Sequence, residues 1–357
     1  MSGNRGRIAV GRKVDDWYQY SGAVHIHTTE SDGTKPLEEV IAIGQRAGLD
    51  FMMFADHMTL SNRERGGEGF YGETLVVIGY EHNDPADTHH YLLFGTPGVY
   101  PADMTAKEYV AAGAADGALG IMAHPDEIRD RLKEFPPYPW NDWSVEGFTG
   151  LEVWNQMSEW MERLTRWNKL PMAFSPRKSM VGPTDRILRK WDELNLTGRY
   201  VGIAGVDAHE FQIRLGPFTV PVFPYKVHFR SLRTHILLRE SMSDDVPGAR
   251  DQLYQAFRDC RVFFSNMRWG SADGFNFYAE NRNGRATCGE ELVVTDGARL
   301  HATLPQRAIM KVICNGREVL QAEGTTLDYG VKQPGIYRLE CWRGNRGWVF
   351  SNHLRLV

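Results

Sequence analysis

The sequence is poor in cysteine and contains no CxxC pair. Its four cysteines, Cys260, Cys288, Cys314 and Cys341, are too few for a disulfide scaffold and too scattered for a zinc knuckle. We therefore expect reduced thiols and a cytoplasmic protein. Cys314 and Cys341 are both expected to face the core of a predicted β-domain, which leaves a disulfide possible if the protein is exported.

Long apolar runs are also missing, and none approaches the ~18–20 residues of a membrane span. The first twenty residues carry basic side chains but lack the apolar segment of a signal peptide. The formal net charge is only −4, so the composition gives no reason to expect a nucleic-acid or anionic-membrane surface. We expect neither partner, and the sequence does not predict an oligomeric state.

Seven short apolar segments follow one another in the first 206 residues. Near-continuous apolar segments of this length are typical of buried strands in parallel sheets. They span residues 23–28, 49–56, 75–80, 91–94, 118–123, 151–154 and 200–206. Helical spacing lies between several of them, at 37–47, from the capping box Thr105-x-x-Glu108 through 115, and at 187–194. The alternation predicts an α/β fold, and seven strands suggest a barrel.

The pattern changes near Trp269. Residues 271–357 show alternating, strand-like runs and turn signals such as Asn315-Gly316, without a convincing helix. We interpret this part as a small all-β sandwich of the immunoglobulin-like kind. The predicted organisation is an N-terminal extension (1–20), an α/β barrel (21–270) and the sandwich (271–357).

Histidines mark the first predicted strand. His25 and His27 are two residues apart, so the strand period places both imidazoles on one face, about 6.5–7 Å apart, with Val24 and Ile26 on the other. Two imidazoles this close can share a metal ion or hold adjacent ions. Asp32 follows in a turn, where a structural role in the turn is the alternative.

Histidines and carboxylates recur at the ends of the later strands. Asp56-His57 and Glu81 end the second and third strands, whereas His89-His90 opens the fourth. His124 ends the fifth strand, Glu152 lies within the sixth, and Asp207 and His209 end the seventh. Active sites of α/β barrels are built where the strands end, which predicts a metal site there.

Six motifs occur in an order that resembles the polymerase and histidinol phosphatase (PHP) family of metal-dependent phosphoesterases. They are His25-Ile26-His27 with Asp32, Ala55-Asp56-His57, Gly79-Tyr80-Glu81, His90 before Leu92, His124-Pro125 and Asp207-Ala208-His209. The resemblance covers about residues 20–270 and implies a distorted (β/α)7, TIM-like barrel with two to three zinc, manganese or iron ions. The ligands it implies are His25, His27, Asp32, His57, Glu81, His90, His124, Asp207 and His209.

Neighbouring residues qualify this assignment. Adjacent strand residues face opposite ways, so only one of His89 and His90 points inward, and we favour His90. Asp56 is expected to orient His57 or cap a turn, and Glu152 to support the ligands or contact substrate. His82 faces away from Glu81 and is expected to be structural.

Clustered dications lower the pKa of bound water and hold phosphoryl oxygens, and three of them beside three carboxylates leave a net positive site. The predicted function is therefore hydrolysis of a small-molecule phosphate ester by a metal-bound hydroxide. His209 or a metal-bound water could protonate the leaving group.

The first alternative is a metallohydrolase of carboxylic esters or carbamates on the same barrel. The second is a non-enzymatic protein whose sandwich is the working part, which no motif supports.

Arginine is expected to bind the phosphate beyond the metals, because its planar fork supplies two parallel donors and stays charged. The loop after His57 offers Arg63 and Arg65, and the loop after His124 offers Arg129 and Arg131. We predict that at least one of the four contacts substrate.

Overall fold

The computed structural model describes residues 11–132, 134–215 and 218–357, and most of their regular structure is strand. The first ten residues of the predicted N-terminal extension lie outside the described residues. The strands are β1 (Arg12–Val14), β2 (Trp17–Ile26), β3 (Phe51–His57), β4 (Gly69–Tyr71), β5 (Thr74–Asn83), β6 (His90–Phe94), β7 (Leu119–Met122), β8 (Gly150–Asn155), β9 (Val201–Ala208), β10 (Phe211–Leu215), β11 (Phe218–Val222), β12 (Leu232–Leu238), β13 (Val262–Asn266), β14 (Asn276–Asn281), β15 (Gly284–Thr287), β16 (Glu291–Leu292), β17 (Ala298–Cys314), β18 (Arg317–Val331), β19 (Gly335–Arg343), β20 (Arg346–Ser351) and β21 (Leu354–Leu356).

Eight α-helices and two 3₁₀ turns, Pro176–Lys178 and Met267–Trp269, lie between these strands. The helices are α1 (Leu37–Arg46), α2 (Ser61–Glu64), α3 (Ala106–Ala115), α4 (Gln156–Glu162), α5 (Lys169–Phe174), α6 (Asp185–Thr197), α7 (Tyr225–His228) and α8 (Val246–Arg258). The three helical patterns predicted within the barrel region correspond to α1, α3 and α6, and the predicted capping box begins α3. Across the described residues, each helix falls short of the length and hydropathy that a bilayer crossing requires.

Seven strands close into a barrel, in the order β2, β3, β5, β6, β7, β8, β9 and back to β2. They are the seven strands that the sequence predicts. β6 runs antiparallel to both of its neighbours, and the other pairs are parallel. A short loop suffices between β5 and β6 because antiparallel neighbours need no crossover helix. The fold is therefore a mixed α/β fold with a closed barrel, in which strands and helices do not alternate as regularly as the (β/α)7 prediction implied.

Alternate residues of the barrel strands share one interior core, against which α8 packs. On β3 these residues are Phe51, Met53 and Ala55, and on β9 they are Val201 and Ile203. The same two-residue period then brings polar side chains to the interior where the parallel strands end, an edge that we call the rim. His57 continues the β3 series, Glu81 the β5 series and Asp207 the β9 series.

The first strand departs from the predicted period. Its pairing with β3 shifts register between Val24 and Ile26, which leaves His25 as the extra residue of a β-bulge with φ of 71°. Val24 therefore belongs to the interior core and Ile26 to the outer one. The prediction that Val24 and Ile26 share a face was wrong, because a bulge reverses the alternation that a regular strand would keep. The bulge allows His25 and His27 to approach, with ring centroids 5.0 Å apart.

Residues 271–357 contain strands and no helix, as predicted. Their strands are continuous with the barrel region rather than detached from it, because β20 pairs with β13, with Phe350 opposite Phe264. Trp17 and Phe263, from β2 and β13, also belong to the core of this C-terminal part. The division at residue 270 and the immunoglobulin-like sandwich stay predictions.

The four cysteines are free thiols. On the paired strands β17 and β19, Cys314 lies opposite Tyr337, and Cys341 lies opposite Met310. The two thiols whose pairing the sequence left open therefore do not face each other.

A buried ion pair joins α6 to the C-terminal strands. Both Asp192 oxygens accept hydrogen bonds from the Arg338 guanidinium, at 2.6 and 2.8 Å, and one of them also contacts His353 Nε2 at 2.8 Å. Burial raises the pKa of Asp192, but Arg338 and His353 outweigh burial and hold that pKa at about 2. Asp192 is therefore ionised at neutral pH and depends on Arg338 for compensation.

We predict that Arg338→Met lowers the free energy of unfolding by about 3–5 kcal/mol, because it leaves a buried carboxylate without its partner. Urea denaturation measures this loss. Arg307→Met is the matched control, since Arg307 pairs with Glu323 at the exposed surface and should cost less than about 1 kcal/mol. Equal, small losses in the two variants would show that Asp192 does not need its buried partner.

Candidate metal centre

The rim brings together all nine side chains that the sequence analysis assigned as metal ligands. Their donor atoms fall into four overlapping groups, within each of which all donors lie within 4.8 Å of one another. The groups are His27, Asp32, His57 and His209; His25, His27 and Glu81; His25, His124 and Asp207; and His57, Glu81 and His90. We call these nine residues the rim cluster.

The Glu81 carboxylate is the centre of the rim cluster, with only 1% of its side chain exposed. Oε2 lies within 3.4 Å of the rings of His25, His27 and His57, and Oε1 lies 2.9 Å from His90 Nδ1 and 3.3 Å from His124 Nε2. One carboxylate thus contacts five imidazoles. Because β3 and β5 pair in register, His57 is the direct neighbour of Glu81.

Two aspartates complete the rim cluster from opposite sides. Asp207 is buried and has Oδ1 3.5 Å from Nε2 of both His25 and His27. Asp32 lies at the open side, with 55% of its side chain exposed and Oδ2 3.1 Å from His209 Nε2. The cluster is therefore closed toward the barrel interior and open toward solvent at Asp32.

The backbone is strained at three of these positions. His25, His124 and Asp207 have φ of 71°, 30° and 49°, a region that residues with a Cβ rarely adopt. Such conformations cost of order 1–3 kcal/mol each and persist only where the surrounding structure imposes them. Three of the ten non-glycine residues with positive φ among the described residues thus belong to the rim cluster.

The charges of the rim cluster shift the pKa values of its members strongly. Burial raises the pKa of Glu81, but the imidazoles of His25, His57 and His90 outweigh burial and hold that pKa well below its usual value. Burial lowers the pKa of His27, yet Asp207 and Glu81 reverse the effect and raise it to about 10. Negative carboxylates and positive imidazoles are thus confined in one small buried volume. A bound cation would compensate the charge of the carboxylates in the same way.

The donors fit transition-metal ions. Both ring nitrogens of His27 are buried and neither makes a hydrogen bond. His124 Nδ1 lies 3.2 Å from the carbonyl oxygen of Tyr138, and His209 Nδ1 lies 3.0 Å from that of Asp207. A carbonyl oxygen can only accept, so Nδ1 is the donor in both rings, and each neutral ring presents the lone pair of Nε2 to the cluster. Neutral imidazole with carboxylate is a donor set that suits zinc, manganese or iron(II).

Glu152 supports two residues of the rim cluster from behind. Its Oε1 lies 2.8 Å from His25 Nδ1, while Oε2 accepts hydrogen bonds from the His124 backbone N–H and the Asn155 amide, both at 2.7 Å. A carboxylate on the far nitrogen of a ligand histidine fixes the ring's orientation and tautomer. Gly205 makes room for this contact, because a Cβ there would lie 1.7 Å from Glu152 Oε1. Glu152 therefore positions His25, one of the roles open to it from the sequence.

Asp56 lies outside the barrel, on the opposite face of β3 from His57. Its carboxylate accepts hydrogen bonds from Thr28 N–H and Oγ1 at 2.6 and 2.7 Å, and from Ser31 Oγ at 2.8 Å. It therefore holds the turn between His27 and Asp32 and does not orient His57, the other role considered for it.

The antiparallel direction of β6 explains the histidine pair at its start. A strand running against its neighbours begins where they end, so His90 enters at the rim. His90 faces Glu81, whereas the His89 ring faces outward and pairs with Asp84 at 2.9 Å. His82 packs on Tyr109 with ring centroids 4.3 Å apart, away from the cluster, as expected of a structural residue.

Seven residues of the rim cluster, all except His25 and His27, line a cavity of about 380 Å³ that we call the polar cavity. Of the four predicted substrate arginines, Arg129 alone lines it. Arg63 donates to the carbonyl oxygens of Thr96 and Pro97, and Arg65 pairs with Glu30. Arg131 is exposed and does not line the polar cavity.

The sequence analysis missed Asn83 and Tyr138. Asn83 Oδ1 lies 3.0 Å from His57 Nδ1, and its Nδ2 lies 3.0 Å from His90 Nε2. Asn83 follows Glu81 by two residues, so strand alternation could have identified it. Tyr138 stacks on His90 with centroids 4.8 Å apart, but it comes from a loop without any periodic signal.

The chain resembles two solved structures. One is a two-domain protein from Bacteroides vulgatus ATCC 8482 that contains a predicted PHP-like metal-dependent phosphoesterase, with a TM-score of 0.48 and 14% identity over 99% of this chain and 100% of that one. The other is a proposed metal-dependent phosphoesterase from Bifidobacterium adolescentis ATCC 15703, with a TM-score of 0.33 and 14% identity over 52% of this chain and 87% of that one. No family model and no curated protein matches the chain. At these TM-scores, the functional conclusion has to rest on the geometry of the rim cluster.

We predict that Glu152→Gln weakens metal binding by about 10- to 100-fold. A glutamine offers one acceptor oxygen, so its NH₂ group must face either His25 Nδ1 or the two N–H donors that Oε2 now accepts. Competition with a chromogenic chelator measures the affinity without any assay of activity. Glu159→Gln is the matched control, because Glu159 is equally buried but contacts Trp154 and Val181 instead of the rim cluster. Equal affinities in the two variants would contradict the role of Glu152.

Proposed function

We propose that the chain is a metal-dependent hydrolase that cleaves a small-molecule phosphate ester at the rim cluster. The observation that carries this proposal is the convergence of six imidazoles and three carboxylates in the rim cluster, seven of whose members line the polar cavity. The four overlapping donor groups could hold two to three zinc, manganese or iron ions. Bound there, such ions would lower the pKa of a coordinated water toward ~7 and neutralise phosphoryl oxygens.

The chain's own residues would set the charge of the site. Asp32, Glu81 and Asp207 contribute three negative charges, so two or three dications would leave a site of about +1 to +3. A positive site favours an anionic ester over a neutral one. Hydrolysis adds water at phosphorus and breaks the bond from phosphorus to the ester oxygen, which takes a proton and leaves as the alcohol.

Arg129 would bind the phosphate. Its side chain is only 12% exposed, pairs with Glu127, and has its guanidinium 5.5 Å from the centre of the Tyr138 ring. Its Nε is buried without a hydrogen-bond partner among the described residues. Because Tyr138 stacks on His90 and Glu127 holds the guanidinium, the fork is positioned beside the rim cluster before substrate arrives.

His209 is better suited to hold a metal than to act as the leaving-group acid. Its Nδ1 donates to the Asp207 carbonyl oxygen, so Nε2, which faces Asp32 Oδ2 at 3.1 Å, is the nitrogen that would bind a cation. One nitrogen cannot both bind a cation and donate a proton. Proton transfer to the departing alcohol would then come from water in the polar cavity, which is open to solvent beside Asp32.

A metallohydrolase acting on carboxylic esters or carbamates is the second candidate. The same donor groups could activate water for attack on a carbonyl carbon. The buried Arg129 beside the rim cluster favours the phosphate ester, because a neutral ester gives a guanidinium no charged partner.

The first test compares phosphate and carboxylic esters. Protein stripped by chelation and then reloaded with zinc, manganese or iron(II) should hydrolyse chromogenic phosphate mono- or diesters, and His25→Ala with His27→Ala should lose both metal and turnover. His301→Ala is the control, since His301 lies on β17 beside Glu280, away from the rim cluster. Hydrolysis of carboxylic esters alone would favour the second candidate, and full metal and turnover in the double variant would exclude the rim cluster.

The second test concerns the arginine. Arg129→Ala should lower kcat/KM for phosphomonoesters by about 10- to 1,000-fold while the metal content stays unchanged. Arg131→Ala, two residues away and exposed, should change neither value. An unchanged kcat/KM in Arg129→Ala would remove the proposed phosphate contact.

A further inference from the structure

A second cavity, of about 470 Å³, lies directly beside the polar cavity. Its lining is almost entirely apolar and includes Trp160, Leu164, Leu170 and Val222, with Lys169 and Gln212 as the polar members. Pockets of this size and character typically bind the apolar part of a small molecule. We call it the apolar cavity.

The two cavities share a wall. Phe135, Met161 and Phe211 line both of them. Phe211 also connects the apolar cavity to the rim cluster, because its ring lies parallel to that of His209 with centroids 6.0 Å apart. A single molecule could therefore place a charged group at the rim cluster and an apolar group in the apolar cavity.

We propose that the substrate is a phosphate ester whose alcohol part is a bulky apolar group, and that the apolar cavity binds this group. This inference rests on the proposed function. The polar cavity offers cationic contacts for the phosphoryl group, whereas the lining of the neighbouring cavity is almost entirely apolar. Such a division matches an amphiphilic ester, with the bond that breaks near the shared wall.

The side chains around the apolar cavity are unusually exposed for their size. Leu170 is 59% exposed, and Phe135 and Phe211 are 37% and 39% exposed. An apolar group seated among them would cover surface that water now contacts, and each buried methylene favours binding by up to about fourfold. Trp167 is 95% exposed nearby in sequence but does not line the cavity, which provides a control.

The experiment uses the metal-loaded protein and a series of n-alkyl phosphates from ethyl to octyl, below their micelle concentrations. The departing alcohols have nearly the same pKa, so the chemical step stays constant while apolar length changes. We expect kcat/KM to rise with each added methylene, to at least about 30-fold for octyl over ethyl. Non-hydrolysable alkylphosphonates should show the same trend in affinity by calorimetry.

Two variants and one control assign the effect to the cavity. Leu170→Gln makes the lining polar and Ala173→Phe fills the cavity from α5, so both should reduce the octyl-to-ethyl ratio toward one. Trp167→Gln removes a comparable exposed apolar side chain outside the lining and should leave the ratio unchanged. Because Leu170 is exposed, we expect Leu170→Gln to fold. The octyl-to-ethyl ratio can therefore be measured in this variant even if Ala173→Phe does not fold.

Each result separates the two proposals. Equal kcat/KM for ethyl and octyl phosphate would overturn the apolar-group inference while the proposed function stands. If neither alkyl phosphates nor chromogenic phosphate mono- and diesters are hydrolysed, the proposed function fails, and phosphonate affinities that do not change with chain length would overturn the apolar-group inference as well. A ratio lowered as much by Trp167→Gln as by Leu170→Gln would identify a general apolar docking surface instead and also overturn the inference.

Discussion

The burial of one carboxylate, Glu81, is the constraint on which the site depends. A carboxylate with 1% exposure is costly unless positive charge surrounds it. Five imidazoles meet that need, and they come from three barrel strands, β2 with the residue directly after it, β3 and β6, and from the loop after β7. Closing the barrel brings these strands together, so the fold and the charge compensation of Glu81 are inseparable.

A layer of supporting contacts keeps the imidazoles in place. The β-bulge at His25 turns that residue toward the interior, and Glu152 Oε1 contacts the Nδ1 atom on the far side of its ring. Gly205 leaves the space that Glu152 occupies. Each of these features is unfavourable or neutral for a bare barrel, since a bulge interrupts pairing and a buried carboxylate loses hydration. Together they fix the positions of the rim-cluster side chains rather than add to the stability of the barrel.

The loops that follow the barrel strands divide the space above the rim into two environments. The loop after β7 contributes Arg129 and Tyr138 beside the imidazoles, while α4, α5 and the segment between them contribute Trp160, Leu170 and Leu164 to the apolar cavity. Phe211, from the strand after His209, separates the two. The two cavities therefore differ in their lining although Phe135, Met161 and Phe211 belong to both.

The sequence by itself determined the seven barrel strands, because strand burial leaves a local signature. The nine residues of the rim cluster came from motifs that resemble the PHP family, and alternation added that only one of His89 and His90 points inward. Only the tertiary structure decided that β6 runs antiparallel, that His25 lies in a bulge, that Asp56 serves the turn at Thr28, and that Arg129 rather than Arg63 faces the cavity. These outcomes depend on which strands pair with each other and on where the long loops pack. Such contacts join residues that are distant in the sequence, so no periodic pattern along the chain indicates them.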